Sequence, residues 1–195
     1  MNLDLKIQLH KSPKSVWDAP TESILKGNSP KELPGAWQIM LLGDGSPTRH
    51  LQLLTGHDVE IELIGMSSVS KNESATPKEV LELKTPLIKR QVWLNCNNIT
   101  LAWAESWWNE EQAKLQLKNK NQPIWKSLTQ GRYELFREVD GLALVNESWL
   151  EKKFNIKGPF WSRHYRFFRQ NEALTVIREV FNPKLELWLG ETERK

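Results

Sequence analysis

The sequence predicts an α+β fold, one antiparallel β-sheet with two helical segments related by approximate symmetry. Three observations lead there. Apolar and polar residues alternate with a period of two in several stretches, the mark of half-buried strands. Short polar pairs, Asn97-Asn98 above all, join such stretches into hairpins. Two short helices opened by prolines each precede a strand, so the two halves of the chain share one layout.

Residues 1–33 are rich in Ser, Pro and Lys and read as an irregular arm with at most a short helix; residues 34–190 form one expected domain. The run PGAWQIMLL, from Pro34 to Leu42, has helical composition, and Gly43-Asp44-Gly45 stops it. A second helix opens at Ser46, which can cap, and Pro47, which suits the first turn; it closes before Gly56. His57–Met66 alternates as a strand. The polar connection from Ser67 to Pro86 holds one helical turn at KEVLEL. Leu87–Asn95 and Ile99–Trp108 are paired strands around Asn97-Asn98, residues that tolerate positive φ. A short helix follows over Glu110–Leu117, another opens at Gln122-Pro123, and strands are expected at Tyr133–Val139, Leu142–Asn146, Phe160–Arg169 and Ala173–Phe181.

The internal likeness has measurable spacing. The helix at Pro47 leads to a strand near His57, and the one at Pro123 to a strand near Tyr133, ten positions on in both cases. Arg90 precedes Asn109 by nineteen positions and Arg163 precedes Asn182 by nineteen, with a hairpin between in each case. An ancestral duplication explains this, and so does the clustering of hairpin lengths.

Composition narrows the class. A chain of 195 residues can bury a real core, and a net charge of +3 does not call for a nucleic-acid partner. One cysteine, Cys96, excludes an internal disulfide. Without a run of 18 or more apolar residues or a signal-peptide core, a soluble, cytoplasmic protein with no stable membrane insertion is expected, as a monomer. Ten tryptophans fill a core or line a pocket for a flat ring. Four histidines lack metal-ligand spacing, Cys96 lacks an evident base, and no phosphate-cradling glycine loop is found. An enzyme here would need no metal, no cofactor and no covalent nucleophile, working by positioning, carboxylate clamping and exclusion of water.

The charged residues on apolar faces carry the functional argument. Arg90 lies in line with Ile88, Val92 and Leu94, and a guanidinium there needs a partner. A two-residue turn at Asn97-Asn98 sets it opposite Glu105, which makes a cross-strand pair worth about 0.2–1 kcal/mol; otherwise it awaits an anionic ligand, most simply a carboxylate. Glu179 shares a face with Thr175, Ile177 and Phe181. It either meets a ligand hydroxyl or pairs with an arginine such as Arg166. With a turn at Gln170-Asn171, Arg163 would stand opposite Arg178, so an anion or an acid should lie between them. The helix starts at Pro47-Thr48 and Pro123-Ile124 offer free N–H groups, which favour anions and more often meet only water or caps.

The stretch LLGDGSPTRHLQLLTGHDVEIELI, the hairpin RQVWLNCNNITLAWAESWW, the segment QPIWKSL and the strand end REVFNP, in that order, resemble chorismate lyase (chorismate–pyruvate lyase), closest to its cyanobacterial and algal-plastid relatives. The likeness runs from about Leu33 to Pro183. It implies a sheet with two helical flaps closing over a buried ligand. It also implies cofactor-free conversion of chorismate to 4-hydroxybenzoate and pyruvate, feeding the plastoquinone head group. The family's carboxylate-binding arginine falls on Arg90, and its hydroxyl-binding glutamate on Glu179. Flap residues fall on Pro47 and Ile124. Pro47 has no N–H, so a main-chain donor there must be Thr48. Bacterial enzymes have a second arginine where Glu105 stands, which leaves Arg178, Arg163 or Lys126 to meet the second carboxylate. Two other readings stay open: a binding protein for aromatic acids without turnover, on the same fold, and, less in keeping with the interleaved acids, a single-strand nucleic-acid binder.

Overall fold

The structure, a computed structural model, describes residues 9–30, 32–119, 122–129 and 134–192. The strands are β1 (Lys14–Pro20), β2 (Glu60–Val69), β3 (Leu87–Cys96), β4 (Ile99–Asn109), β5 (Phe136–Asn146), β6 (Phe160–Arg169) and β7 (Glu172–Phe181). The α-helices are α1 (Thr21–Leu25), α2 (Gly35–Leu42), α3 (Pro47–Thr55), α4 (Glu110–Gln116), α5 (Ile124–Thr129), α6 (Ser148–Phe154) and α7 (Glu186–Leu189). Among the described residues the strands form one seven-stranded sheet in the order β1-β5-β6-β7-β4-β3-β2, with every pairing antiparallel. No described helix is long and apolar enough to cross a membrane.

The sheet has the expected symmetry. β2-β3-β4 and β5-β6-β7 are two meanders that meet at the β4–β7 pair. Pro47 and Pro123 are 76 positions apart, as are Gly65 and Gly141, and each glycine follows a register shift, in β2 and β5 respectively. Arg90 and Arg163 are 73 apart, as are Asn109 and Asn182. Each asparagine closes its meander by capping the helix that follows: Asn109 Oδ1 accepts from the N–H of Glu111 at 3.0 Å, and Asn182 Oδ1 from that of Lys184 at 3.0 Å.

Both hairpins turn where the sequence places them. Asn97 and Asn98 have φ of 47° and 63°, and Gln170 and Asn171 of 51° and 62°, which matches the right-handed twist of the flanking strands. Each hairpin then slips by one residue, between Leu94 and Asn95 in the first and between Phe167 and Phe168 in the second. This changes both cross-strand pairings expected from the turns. Arg90 stands opposite Ser106 rather than Glu105, and Arg163 opposite Glu179 rather than Arg178. Glu105 instead pairs with Arg178 across the β4–β7 seam, on the other face of the sheet.

Other differences are local. Lys14–Pro20, expected within an irregular arm, pairs with β5 and forms a sheet edge. The two strands expected around Asp140-Gly141 are one strand with a bulge, because that pair widens the ladder instead of reversing the chain; Tyr133 lies outside the described residues. β2 begins at Glu60, three positions later than expected, after the left-handed Gly56 (φ 71°) closes α3. The helix α6 follows no signal used above; Leu150 and Phe154, four apart, bury its inner face.

Each face of the sheet carries two apolar clusters around a polar centre. On the front, α2, α3 and α7 cover Val92, Leu94, Ala102 and Phe181, while α4 and α5 cover Trp108, Tyr165, Phe167 and Ile177. On the back, α6 packs on Trp93, Trp103 and Phe160, and the 3₁₀ turn Lys78–Glu82 packs on Trp107 and Val176. Helices therefore lie on both sides. Trp37, Trp103, Trp107 and Trp108 are fully buried, so the tryptophans chiefly build core. The first turn needs left-handed residues, so Asn98→Ala should lower stability in urea by about 1 kcal/mol, while Asn98→Gly should hold or raise it.

Candidate active site

A cavity opens on the front face between the two halves, under α3 and α5. Arg90 on β3 and Glu179 on β7 both line it, with Ile61, Val92, Ala104, Phe167 and Ile177 as apolar wall. The flaps contribute Ser46, Pro47 and Thr48 from the first helix start and Pro123 and Ile124 from the second. The cavity is tight: the centre of a water molecule can range over about 40 Å³. That admits a few waters at most, so entry of a ring-shaped ligand requires the flaps to part. No described tryptophan lines the space.

Arg90 is 3% exposed. Its Nη2 donates to the carbonyl oxygen of Gln122 at 3.4 Å, just ahead of α5, so the guanidinium touches the root of the second flap. Burial pushes its pKa down to about 10, which leaves it cationic at neutral pH. The counterpart Arg163 is wholly buried and bound differently. Its Nε donates to Glu179 Oε2 at 2.8 Å, and its Nη1 donates to the carbonyl oxygens of Met40 and Gly43 at 2.8 and 3.1 Å. Tyr165 donates its hydroxyl to Glu179 Oε1 at 2.8 Å; burial first, then the Glu179 charge, raise the Tyr165 pKa and keep the phenol protonated. Each oxygen of Glu179 thus holds one donor, and a carboxylate oxygen has room for a second.

Symmetry makes the site polar in one direction. The position opposite the strand arginine is an acid, Glu179, in one half and a hydroxyl, Ser106, in the other. Trp108 Nε1 donates to Ser106 Oγ at 2.9 Å. Glu105, which borders the cavity, turns its carboxylate away: Oε1 accepts from Arg178 Nε at 2.8 Å, and Oε2 from Ser12 Oγ and Gln91 Nε2 at 2.9 and 3.2 Å. The residue facing Arg90 across the hairpin is therefore the Ser106 hydroxyl and not an acid.

Arg137 on β5 also lines the cavity, a position that sequence reasoning missed. Its guanidinium lies 4.9 and 4.5 Å from the ring centroids of Tyr165 and Phe167 and donates to the carbonyl oxygens of Asp44 and Gly45. In sequence it sits between exposed Phe136 and Glu138 and reads as a surface charge. Of the residues expected to meet a second carboxylate, none reaches the cavity. Arg178 is on the back face with Glu105, Arg163 is spent on Glu179 and backbone carbonyls, and Lys126 is exposed on α5. Arg166, expected beside Glu179, pairs instead with Asp140, Glu82 and Glu138 on the back.

The first flap is tied down at its root. Arg137 and Arg163 together hold carbonyls of Met40, Gly43, Asp44 and Gly45. A Cβ on Gly45 would come within 2.2 Å of His50 Nε2, so a larger residue there would make that imidazole turn aside. Ser46 precedes α3 as expected, but its hydroxyl meets the Thr48 hydroxyl at 2.9 Å rather than a helix N–H.

Residues 41–189 match the family described as Chorismate pyruvate-lyase Rv2949c-like, about three-quarters of the chain. The chain belongs to that family. Among its relatives, the uncharacterized protein ycf21 of Cyanophora paradoxa is 35% identical over 173 residues, which cover 88% of this chain and 90% of that one. The ycf21 protein of Pyropia yezoensis is 36% identical over 156 residues, 79% of this chain and 84% of that one. The effector domain of PhnF from Mycobacterium smegmatis superposes with a TM-score of 0.56 at 14% identity, covering 74% of this chain and 93% of that one, a likeness of fold alone.

Removing Arg163 would take the buried donor from Glu179 Oε2 and would loosen the flap root at Met40 and Gly43. Arg163→Met should cost about 3–5 kcal/mol in urea unfolding. It should also speed amide hydrogen exchange in residues 43–55 well beyond that of residues 87–96.

Proposed function

We propose that the protein is a chorismate lyase, converting chorismate to 4-hydroxybenzoate and pyruvate for a quinone head group such as that of plastoquinone. The observation that carries this reading is the placement of Arg90 and Glu179 in one flap-covered cavity, on strands two apart in the sheet. From Ile177, which aligns with Arg90 through Ser106, Glu179 is two residues farther along β7. Their backbones are then about 12 Å apart, a span that two converging side chains close to the length of a small ring.

Arg90 grips the ring carboxylate, through two hydrogen bonds strengthened by the apolar wall. Glu179, held in place by Arg163 and Tyr165, receives the hydroxyl at the opposite ring carbon. Arg137 is the cation for the enolpyruvyl carboxylate, since among the described residues it is the other guanidinium on the cavity wall. Pro47 and Ile124 close over the ring, and the Thr48 N–H supplies the main-chain donor that Pro47 lacks. In the reaction the ring carbon–oxygen bond to the enolpyruvyl group breaks and the hydroxyl-bearing ring carbon loses its hydrogen as a proton. The departing enolpyruvate gains a proton on its methylene carbon and becomes pyruvate. Aromatisation drives the step, and the proton passes within the substrate, so the chain needs no strong base. Its contribution is orientation and the exclusion of water.

Purified protein incubated with chorismate should release 4-hydroxybenzoate and pyruvate in equal amounts. Arg90→Ala should lower kcat/KM by about 10²-fold or more, the scale of a lost charged contact in a dry site. Arg137→Ala should act mainly on KM. Folded wild-type protein that binds 4-hydroxybenzoate yet forms no product would make this a binding protein instead.

A further inference from the structure

The back of the sheet holds a second cavity, of about 360 Å³, unrelated to the flaps. Glu79, Asp140 and His164 line it, and one ligand atom from each lies within 4.8 Å of the others. We propose that these three side chains bind a divalent transition-metal ion, with zinc the best-fitting metal.

The site is assembled by the fold, from three separate segments. His164 comes from β6, Glu79 from the 3₁₀ turn Lys78–Glu82, and Asp140 from the bulge in β5. A bulge residue is re-aimed relative to its strand, which is how Asp140 reaches the other two. Gly141, after it, accommodates the close approach: a Cβ there would lie 2.8 Å from the Ala19 carbonyl oxygen and 3.0 Å from His164 Cε1. The side chains of Glu79 and Asp140 are 7% and 6% exposed, and that of His164 is 22%.

Two independent observations point to a ligand. Ser162, 1% exposed and two residues before His164 on β6, faces the same cavity, and its Oγ has no hydrogen-bond partner among the described residues. Thr76 Oγ1, in the half-buried chain segment over the cavity, likewise has no hydrogen-bond partner among the described residues. Carboxylates also outnumber lysine and arginine here among the described residues: Arg166 is shared by Asp140, Glu82 and Glu138, Arg178 is taken by Glu105, and exposed Lys78 is left to act on Glu79 beside His164. Glu79 adds a further carboxylate, with His164 Nε2 3.3 Å from its Oε2. A divalent cation satisfies this excess and accepts the imidazole nitrogen. One nitrogen and two carboxylate oxygens at about 2.0–2.2 Å are a zinc-type donor set, which water or the free hydroxyls complete. The ion would clamp the connection between β2 and β3 onto the back of the sheet, a structural role independent of chorismate conversion.

Isothermal titration of the metal-stripped full chain with zinc chloride should show saturable binding at one ion per chain, with magnesium chloride giving no comparable heat. Glu79→Gln and His164→Gln should each weaken zinc binding at least tenfold, with unchanged circular dichroism. Zinc should also slow hydrogen exchange over residues 75–82 in the wild type. Should His164→Gln not fold, Glu79→Gln carries the test, since Glu79 lies outside the sheet. Absence of saturable zinc binding, or binding unchanged by Glu79→Gln, would overturn the proposal.

Discussion

One residue of slip in each hairpin decides where the charges of the central strands go. Side chains alternate across a strand, so a shift of one position exchanges the two faces. The step between Leu94 and Asn95 separates Arg90 from Glu105, sending the first to the front and the second to the back. The step between Phe167 and Phe168 brings Arg163 to Glu179 and parts it from Arg178. Glu105 and Arg178 then meet at the β4–β7 seam. Without both steps the front cavity would hold an acid beside Arg90 and would lose the cation that fixes Glu179.

From this follows a division between the faces. The back centre is an ion pair closed by Ser12, Gln91 and the Ala75 carbonyl, and it holds the N-terminal segment and the connection before β3 onto the sheet. The front centre combines a carboxylate anchored by two donors with a guanidinium set among aliphatic walls. On the proposed function, a ligand carboxylate meets that guanidinium where the apolar walls strengthen the contact. The flaps complete the arrangement. Arg137 and Arg163 fasten the root of the first, and Arg90 touches the root of the second, so the groups suited to grip a ligand also contact the elements that close over it.

Much of this was legible in the chain. Proline-started helices, asparagine turns and alternating strands fix the meanders, and the equal spacing of Arg90 and Arg163 from their closing asparagines already carries the symmetry. The apolar neighbours of Arg90 and Glu179 single those two out. What stayed hidden depends on register. A bulge has no strong local signature, so turn position alone misplaced Glu105 and Arg178. Arg137 is invisible as a site residue because the residues beside it are exposed; its cross-strand place beside Phe167 and its bonds to Asp44 and Gly45 turn it to the front. β1 lies within the stretch that reads as an irregular arm, and its pairing with β5 is a long-range contact that local pattern does not encode. The cluster of Glu79, Asp140 and His164 is likewise a product of three distant segments and one bulge.

A crystal structure of the protein with 4-hydroxybenzoate tests this arrangement most directly. The acid should lie beneath the flaps, its carboxylate on the Arg90 guanidinium and its hydroxyl on Glu179, with Glu105 still turned to Arg178. An acid bound anywhere else, or an Arg90 side chain turned to Glu105, would contradict it.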